Sequence, residues 1–267
     1  MIQDFPANPI GKPGYRLEWH DEFEGTELDT NKWLRYYLPQ WSSRQRSAPN
    51  YTFRDDMLVL QITEDQQPWC PEFDGEVKAS CIQTGLFAGP VGSRLGQLHF
   101  REDLIVREAQ KNVRLYTPQY GYFECRAKGI DIPGNHVSLY MIGYEDTPEK
   151  CGEINMFEIF GKDVGSNTTK VGYGIHPWKD PNLTEEFYQD LIEINATKFH
   201  IYVHEWTPKY IDFYVDNRRI RRIHQSPDYP MQFMLSIYEL PGGDTDSAYP
   251  REFWVDYVRV YQPEGGY

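Results

Sequence analysis

Phe199-His-Ile-Tyr-Val-His-Glu-Trp206 and Ile211-Asp-Phe-Tyr-Val-Asp216 lie four residues apart, separated by Thr207-Pro-Lys-Tyr210. Both are short, rich in β-branched and aromatic residues, and alternate in polarity with a period of two. That is the spacing at which a strand sends successive side chains to opposite faces. A Pro-containing connection this short joins antiparallel neighbours. Outward from this pair the pattern recurs in Met57-Leu-Val-Leu-Gln-Ile-Thr63, Gly121-Tyr-Phe-Glu-Cys-Arg-Ala-Lys128 and Phe253-Trp-Val-Asp-Tyr-Val-Arg-Val-Tyr261. Turn residues punctuate it at Asp55-Asp56, Gly161–Gly165, Asp216-Asn217, Ser226–Pro230 and Gly242–Asp246. Helical periodicity is confined to Pro181–Leu191, where a short helix is expected. Many strands and few helices predict an all-β fold, two antiparallel sheets packed face to face, with a groove on the concave face.

The 267 residues carry no internal repeat, low-complexity tract or long linker, so a single domain over 1–267 is expected, with Pro6, Pro9, Gly11, Pro13 and Gly14 marking 1–15 as an irregular lead-in. Forty Asp and Glu against 27 Lys and Arg give a net charge of -13, which excludes the basic stripe a phosphate backbone requires. No apolar run approaches the length of a membrane span, and a monomer without nucleic-acid or membrane partners is expected. Met1–Ile10 has neither the basic nor the apolar region of an export signal. The sequence as it stands reads as cytoplasmic, or as secreted if an upstream signal has been removed. Cys70, Cys81, Cys125 and Cys151 form no CxxC pair and read as free core thiols. If a bridge exists, Cys70 and Cys81 are the first pair to inspect.

Chemistry concentrates in Glu145-Asp-Thr-Pro-Glu-Lys-Cys-Gly-Glu-Ile-Asn-Met-Phe-Glu-Ile-Phe-Gly161. In a regular strand Glu153, Asn155 and Phe157 share a face and Glu158 points to the other. One extra residue at Met156 or Phe157, a β-bulge, would return Glu158 to the face of Glu153. Two carboxyl groups on one face can divide the cleavage of a glycosidic bond, one attacking the anomeric carbon while the other protonates the departing oxygen. The spacing alone fits equally well two solvated carboxylates on opposite faces.

Gly152-Glu-Ile-Asn-Met-Phe-Glu158 resembles the active-site strand of glycoside hydrolase family 16, the laminarinase, lichenase, agarase and carrageenase group, in its bulged Glu-x-Asp-x-x-Glu form. Leu17–Trp33 is similar to that family's opening strand and turn, and Tyr120–Lys128 to the strand ahead of the catalytic one. Phe199–Pro208, Ile211–Asp216 and Trp254–Tyr261 resemble its later strands in the same order. The resemblance implies a concanavalin-like β-jelly roll with a sugar-binding cleft, Glu153 as nucleophile and Glu158 as general acid and base. Asn155 stands where the family pattern has Asp. Its amide is expected to donate to Glu153, keeping it ionised at a lower pKa than a site with two adjacent carboxylates would allow. Ile132–Gly143 takes the place of the family's Trp-Pro-Ala-Phe-Trp segment, with His136 and Tyr140 near the expected Trp positions.

The expected activity is retaining endo-cleavage of a β-linked glucan or galactan. Alternatives are transglycosylation through the same intermediate, a catalytically silent glycan-binding module of the same fold, or an interaction domain without glycan affinity. Candidate substrate-binding residues are Trp41, Arg44 and Gln45 in the polar loop Tyr37–Arg46, His136, His176 and Trp178 in Gly172–Trp178, and Glu239. His176 is expected to bond Glu158 or substrate. No cofactor is required. The resemblance allows a structural calcium, for which Asp256 is the candidate ligand. His200 and His204 have zinc-like spacing but lie in a strand pattern without the Glu of a zinc helix.

Overall fold

A computed structural model describes residues 3–244 and 246–267. Met1, Ile2 and Thr245, which belong to the expected lead-in and to the expected Gly242–Asp246 loop, lie outside the described residues. Strands run in chain order from β1 (Tyr15–Asp21), β2 (Asn50–Arg54), β3 (Met57–Ile62), β4 (Lys78–Gln83), β5 (Gly85–Leu86) and β6 (Val113–Arg114) to β7 (Gly121–Lys128) and β8 (Asn135–Gly143). They continue with β9 (Glu153–Phe160), β10 (Thr169–His176), β11 (Glu186–Ile192), β12 (His200–Trp206), β13 (Ile211–Val215), β14 (Arg218–Ile223), β15 (Met231–Glu239) and β16 (Arg251–Pro263).

Eight strands form one antiparallel sheet in the order β14-β13-β12-β7-β16-β3-β2, with β1 also paired to β16; six form the other, β11-β10-β9-β8-β15-β4. This is the expected all-β sandwich. The alternation of apolar residues explains why the sheets meet as they do. Phe123, Cys125 and Ala127 of β7 and Val255, Val258 and Val260 of β16 face Val137, Leu139 and Met141 of β8 and Phe233, Leu235 and Ile237 of β15 in one buried core. The turn signals also appear as predicted: Asp55 and Asp56, and Asp216 and Asn217, take left-handed φ in two-residue hairpin loops.

The opposite face of the six-stranded sheet carries a second apolar cluster. Tyr37, Leu38, Trp41, Trp69 and Leu98, from loops, pack on Ala79 and Cys81 of β4, Met234 and Tyr238 of β15, and Tyr140 and Ile142 of β8.

One expectation is corrected. Residues 181–191 form no helix; Glu186–Ile192 is edge strand β11, whose register with β10 runs from Ile175–Glu186 to Thr169–Ile192. The α-helical segment among the described residues is the single turn Pro71–Asp74. The cysteines are as expected: all four are free and buried, Cys70 and Cys81 are not bridged, and Cys70 Sγ contacts the carbonyl of Trp41. No described helix is long and apolar enough to cross a membrane.

Candidate active site

The bulge lies at Met156. On the β8 side Ser138 pairs with Glu158 and Leu139 with Phe157, but Tyr140 pairs with Asn155, so Met156 has no partner. On the β10 side Gly172 pairs with Glu158 and Gly174 with Asn155, so one residue of β10 spans two of β9. Ile154, Met156, Phe157 and Ile159 all join the sandwich core. Burial of two consecutive side chains, Met156 and Phe157, drives the parity change, and Glu153, Asn155 and Glu158 emerge together on the opposite face. Gly174 accommodates the kink: its φ is +137°, and a Cβ there would lie 2.1 Å from the carbonyl oxygen of Glu186.

The three residues line a cavity of about 270 Å³ with His136, Ser138, Tyr140, Trp178 and Tyr238. Asn155 Nδ2 donates to Oε1 of Glu153 at 2.6 Å, and Trp178 Nε1 donates to Oε2 at 2.8 Å. Both oxygens of a buried carboxyl are therefore held in fixed directions. Burial pushes the Glu153 carboxyl above its ordinary range. The charge of His176 and the bonds from Trp178 and Asn155 pull it back, and the neighbouring Glu158 adds to the rise. The expected donation from Asn155 is present, but it offsets only part of the burial effect, so the net direction is upward.

Glu158 is the more accessible of the pair, with about 20% of its side chain exposed against a Glu153 that is 7% exposed overall. His136 Nε2 lies 2.9 Å from Glu158 Oε1, a close contact outside hydrogen-bond alignment. The imidazole is clamped between Phe160 (centroids 4.4 Å apart) and Tyr238 (5.2 Å), so its position beside Glu158 is set by stacking. Below it, the hydroxyls of Tyr140 and Tyr238 bond each other at 2.9 Å.

Trp178 reaches Glu153 from the loop after β10, which is tied to the start of β9. Gly152 N donates to the Tyr229 hydroxyl at 2.8 Å, that hydroxyl donates to Asp180 at 2.6 Å, and Lys179 N contacts Cys151 Sγ. The ties hold Trp178 at φ +49° with 43% of its surface exposed, an unusual backbone state for a bulky residue.

The other sequence candidates lie elsewhere. Trp41 is fully buried, bonded to Gln97 O at 2.8 Å and covered by Gly96, so it packs under its loop and presents no stacking face. Arg44 pairs with Glu108 at 3.0 Å on the surface, and Gln45 lines a separate polar groove with Arg46 and Asn50. Glu239 is engaged by Lys78 at 3.0 Å and by the Tyr249 hydroxyl, beside a different cavity. His176 pairs across the strands with Glu153 and bonds Glu185 at 2.7 Å, stacked on Phe187, so it does not bond Glu158. Asp256 pairs with Arg126 at 2.6 Å, and no group of three or more His, Cys, Asp or Glu suited to a metal occurs among the described residues. Sequence reasoning gave no role to Tyr238 or Ser138, cavity residues on β15 and β8, two segments that the period-two reading did not single out as strands.

The profile of glycosyl hydrolases family 16 matches residues 112–259, which include the whole of β9. A β-glucanase of Acetivibrio thermocellus is 31% identical over 153 residues, 55% of this chain and 43% of that protein. A keratan-sulfate endo-1,4-β-galactosidase of Sphingobacterium multivorum is 25% identical over 280 residues, 96% of this chain and 57% of that protein. Among solved structures, the GlcNAcα1-4Gal-releasing endo-β-galactosidase from Clostridium perfringens superposes with a TM-score of 0.87 at 37% identity, over 99% of this chain and 67% of that one. The chain spans less than two thirds of the length of these curated relatives.

Proposed function

The chain belongs to glycosyl hydrolase family 16, and from that membership we propose that it is an endo-acting glycosidase cleaving a β-linked glycan with retention of configuration. One observation carries the reading: the bulge at Met156 brings Glu153 and Glu158 to one cavity while Asn155 and Trp178 hold both oxygens of Glu153. Glu153 attacks the anomeric carbon, and its two donors orient it. Glu158, more exposed and free of such donors, gives its proton to the leaving oxygen and then takes one from water. Tyr140, Tyr238 and Trp178 supply the aromatic surface that pyranose faces need.

A galactosidic bond is the first choice of substrate, because 37% identity over nearly the whole chain links it to an endo-β-galactosidase. A β-glucan is the second, supported by 31% identity to a β-glucanase over the shorter stretch. Asn155 in place of the family's Asp leaves the nucleophile a donor that carries no charge.

The test is incubation with β-galactans, N-acetyl-lactosamine polymers and β-1,3- and β-1,4-glucans, following new reducing ends and the anomeric form of the first product by NMR. Release of internal fragments with the β-anomer formed first supports the proposal. The α-anomer first, or binding without new reducing ends, refutes the retaining hydrolase.

A further inference from the structure

Trp178 lines two cavities. One holds Glu153 and Glu158; the other, about 290 Å³, is lined by Glu145, His99, Leu95 and Pro148 among others. We propose that this second cavity is a binding subsite for a neutral hexopyranose unit attached to the sugar that Glu153 attacks, with Glu145 and His99 reading its hydroxyls. The proposal rests on the glycosidase reading above, since it extends the same substrate across Trp178.

Glu145 is 4% exposed, and its Oε1 accepts from Leu98 N at 2.7 Å; its second oxygen has no partner among the described residues. Burial lifts its pKa well above the ordinary carboxyl value, the bond from Leu98 opposing this and the charge of Glu153 adding to it. His99 Nε2 is buried without a hydrogen-bond partner among the described residues, and burial, reinforced by the charges of Lys179 and Arg94 and opposed by Glu102, lowers the pKa of the ring. A buried carboxyl with one unpartnered oxygen and an imidazole with an unpartnered ring nitrogen set polar atoms into the cavity, the kind of partner that sugar hydroxyls take.

The rim argues in the same direction. Arg94 and Lys179 line the cavity, but Glu102 takes Lys179 at 2.8 Å and reaches Arg94 at 3.7 Å, so the two cations that would attract a sulfated or carboxylated unit share one carboxylate already in place. Leu95 and Pro148 add apolar wall for a ring face. Both Glu145 (φ +59°) and Trp178 (φ +49°) sit in left-handed backbone, which costs free energy for non-glycine residues and clusters where a side chain must be aimed. Both line this cavity.

The experiment compares the native chain with Glu145→Leu, His99→Phe and Glu145→Gln, each checked for a native melting curve. Values of kcat/KM are measured on neutral β-linked galacto- and gluco-oligosaccharides of two to six units, and on a sulfated series. The readout is the ratio of kcat/KM for the longest to that for the shortest substrate, which loss of chemistry alone does not move. The ratio is expected to fall about tenfold in Glu145→Leu and in His99→Phe, with partial recovery in Glu145→Gln, which keeps an acceptor for Leu98 N. An unchanged ratio in both variants overturns the subsite, and a larger length dependence for the sulfated series overturns its neutral character. If the native chain cleaves none of these substrates, the glycosidase reading fails. The subsite is then tested by calorimetric titration of the neutral hexasaccharides: about tenfold weaker binding by the two variants upholds it, and equal or absent binding overturns it.

Discussion

The indole Nε1 of Trp178 donates to Oε2 of Glu153 at 2.8 Å, from a side chain that is itself 43% exposed in the cavity. In the proposed mechanism one residue therefore both orients the nucleophile and faces the substrate. In Trp178→Phe the aromatic face survives and the donor is lost. A hydrogen bond to a charged group contributes about 1.5–3 kcal/mol, so kcat/KM is expected to fall about 10- to 100-fold. Steady-state kinetics on the best substrate check this. A fall of less than twofold would remove the donor role.

Asn155→Asp places a second carboxyl where the amide now lies 2.6 Å from Glu153 Oε1. Like charges that close resist joint ionisation and raise one pKa of the pair. The limb of the pH–rate profile on which activity rises with pH is therefore expected to move upward, by about one unit or more. A shift downward, or none, would mean that Asn155 does not act on the ionisation of Glu153.

Gly174 sits opposite Asn155 at the kink, with φ +137° and no room for a Cβ beside the Glu186 carbonyl. Gly174→Ala is expected to cost about 1–3 kcal/mol from backbone conformation alone, equivalent to roughly 2–12 °C in Tm for a domain of this size. It should also lower activity, because relief of the clash moves β10 against the bulge. Calorimetry together with kinetics tests both. A native Tm would show that β11 yields without cost.

Glu145 carries a stability signature as well. Its folded pKa is raised well above the ordinary value, so the folded chain binds more protons than the unfolded one between the two pKa values. The stability it supports is full below the unfolded pKa, about 4.3, and declines as pH rises toward the folded pKa. Glu145→Gln lacks this penalty, so its Tm relative to the native chain should rise from pH 4 toward pH 8. A Tm difference that stays constant with pH would contradict the raised pKa.

The reach of the sequence can be judged from particular residues. Period-two alternation located β3, β7, β12, β13 and β16 because each of these strands buries a face in the core. Parity alone separated Glu158 from Glu153. A bulge was the one local change able to reunite them, and Met156 supplies it. Glu186–Ile192 read as helical because Thr-Glu-Glu near the start of a mixed run imitates a helix terminus, and only pairing with β10 pulls it into the sheet. Trp41 misled for a related reason: a Trp in a polar loop looks available for stacking, yet here the loop folds back so that Gly96 and Gln97 close over it. Glu145 lies in a loop eight residues before the nucleophile, and nothing in its spacing foretold burial beside a second cavity.

The most direct test of the account is covalent trapping. A 2-deoxy-2-fluoro glycoside with an activated leaving group, in the sugar series the chain cleaves, slows breakdown of a glycosyl-enzyme so that it accumulates, and peptide mass spectrometry then locates the ester. The account predicts a single labelled peptide with the sugar on Glu153 and none in Glu153→Gln. A label on Glu158, or turnover with no trapped ester, would contradict it.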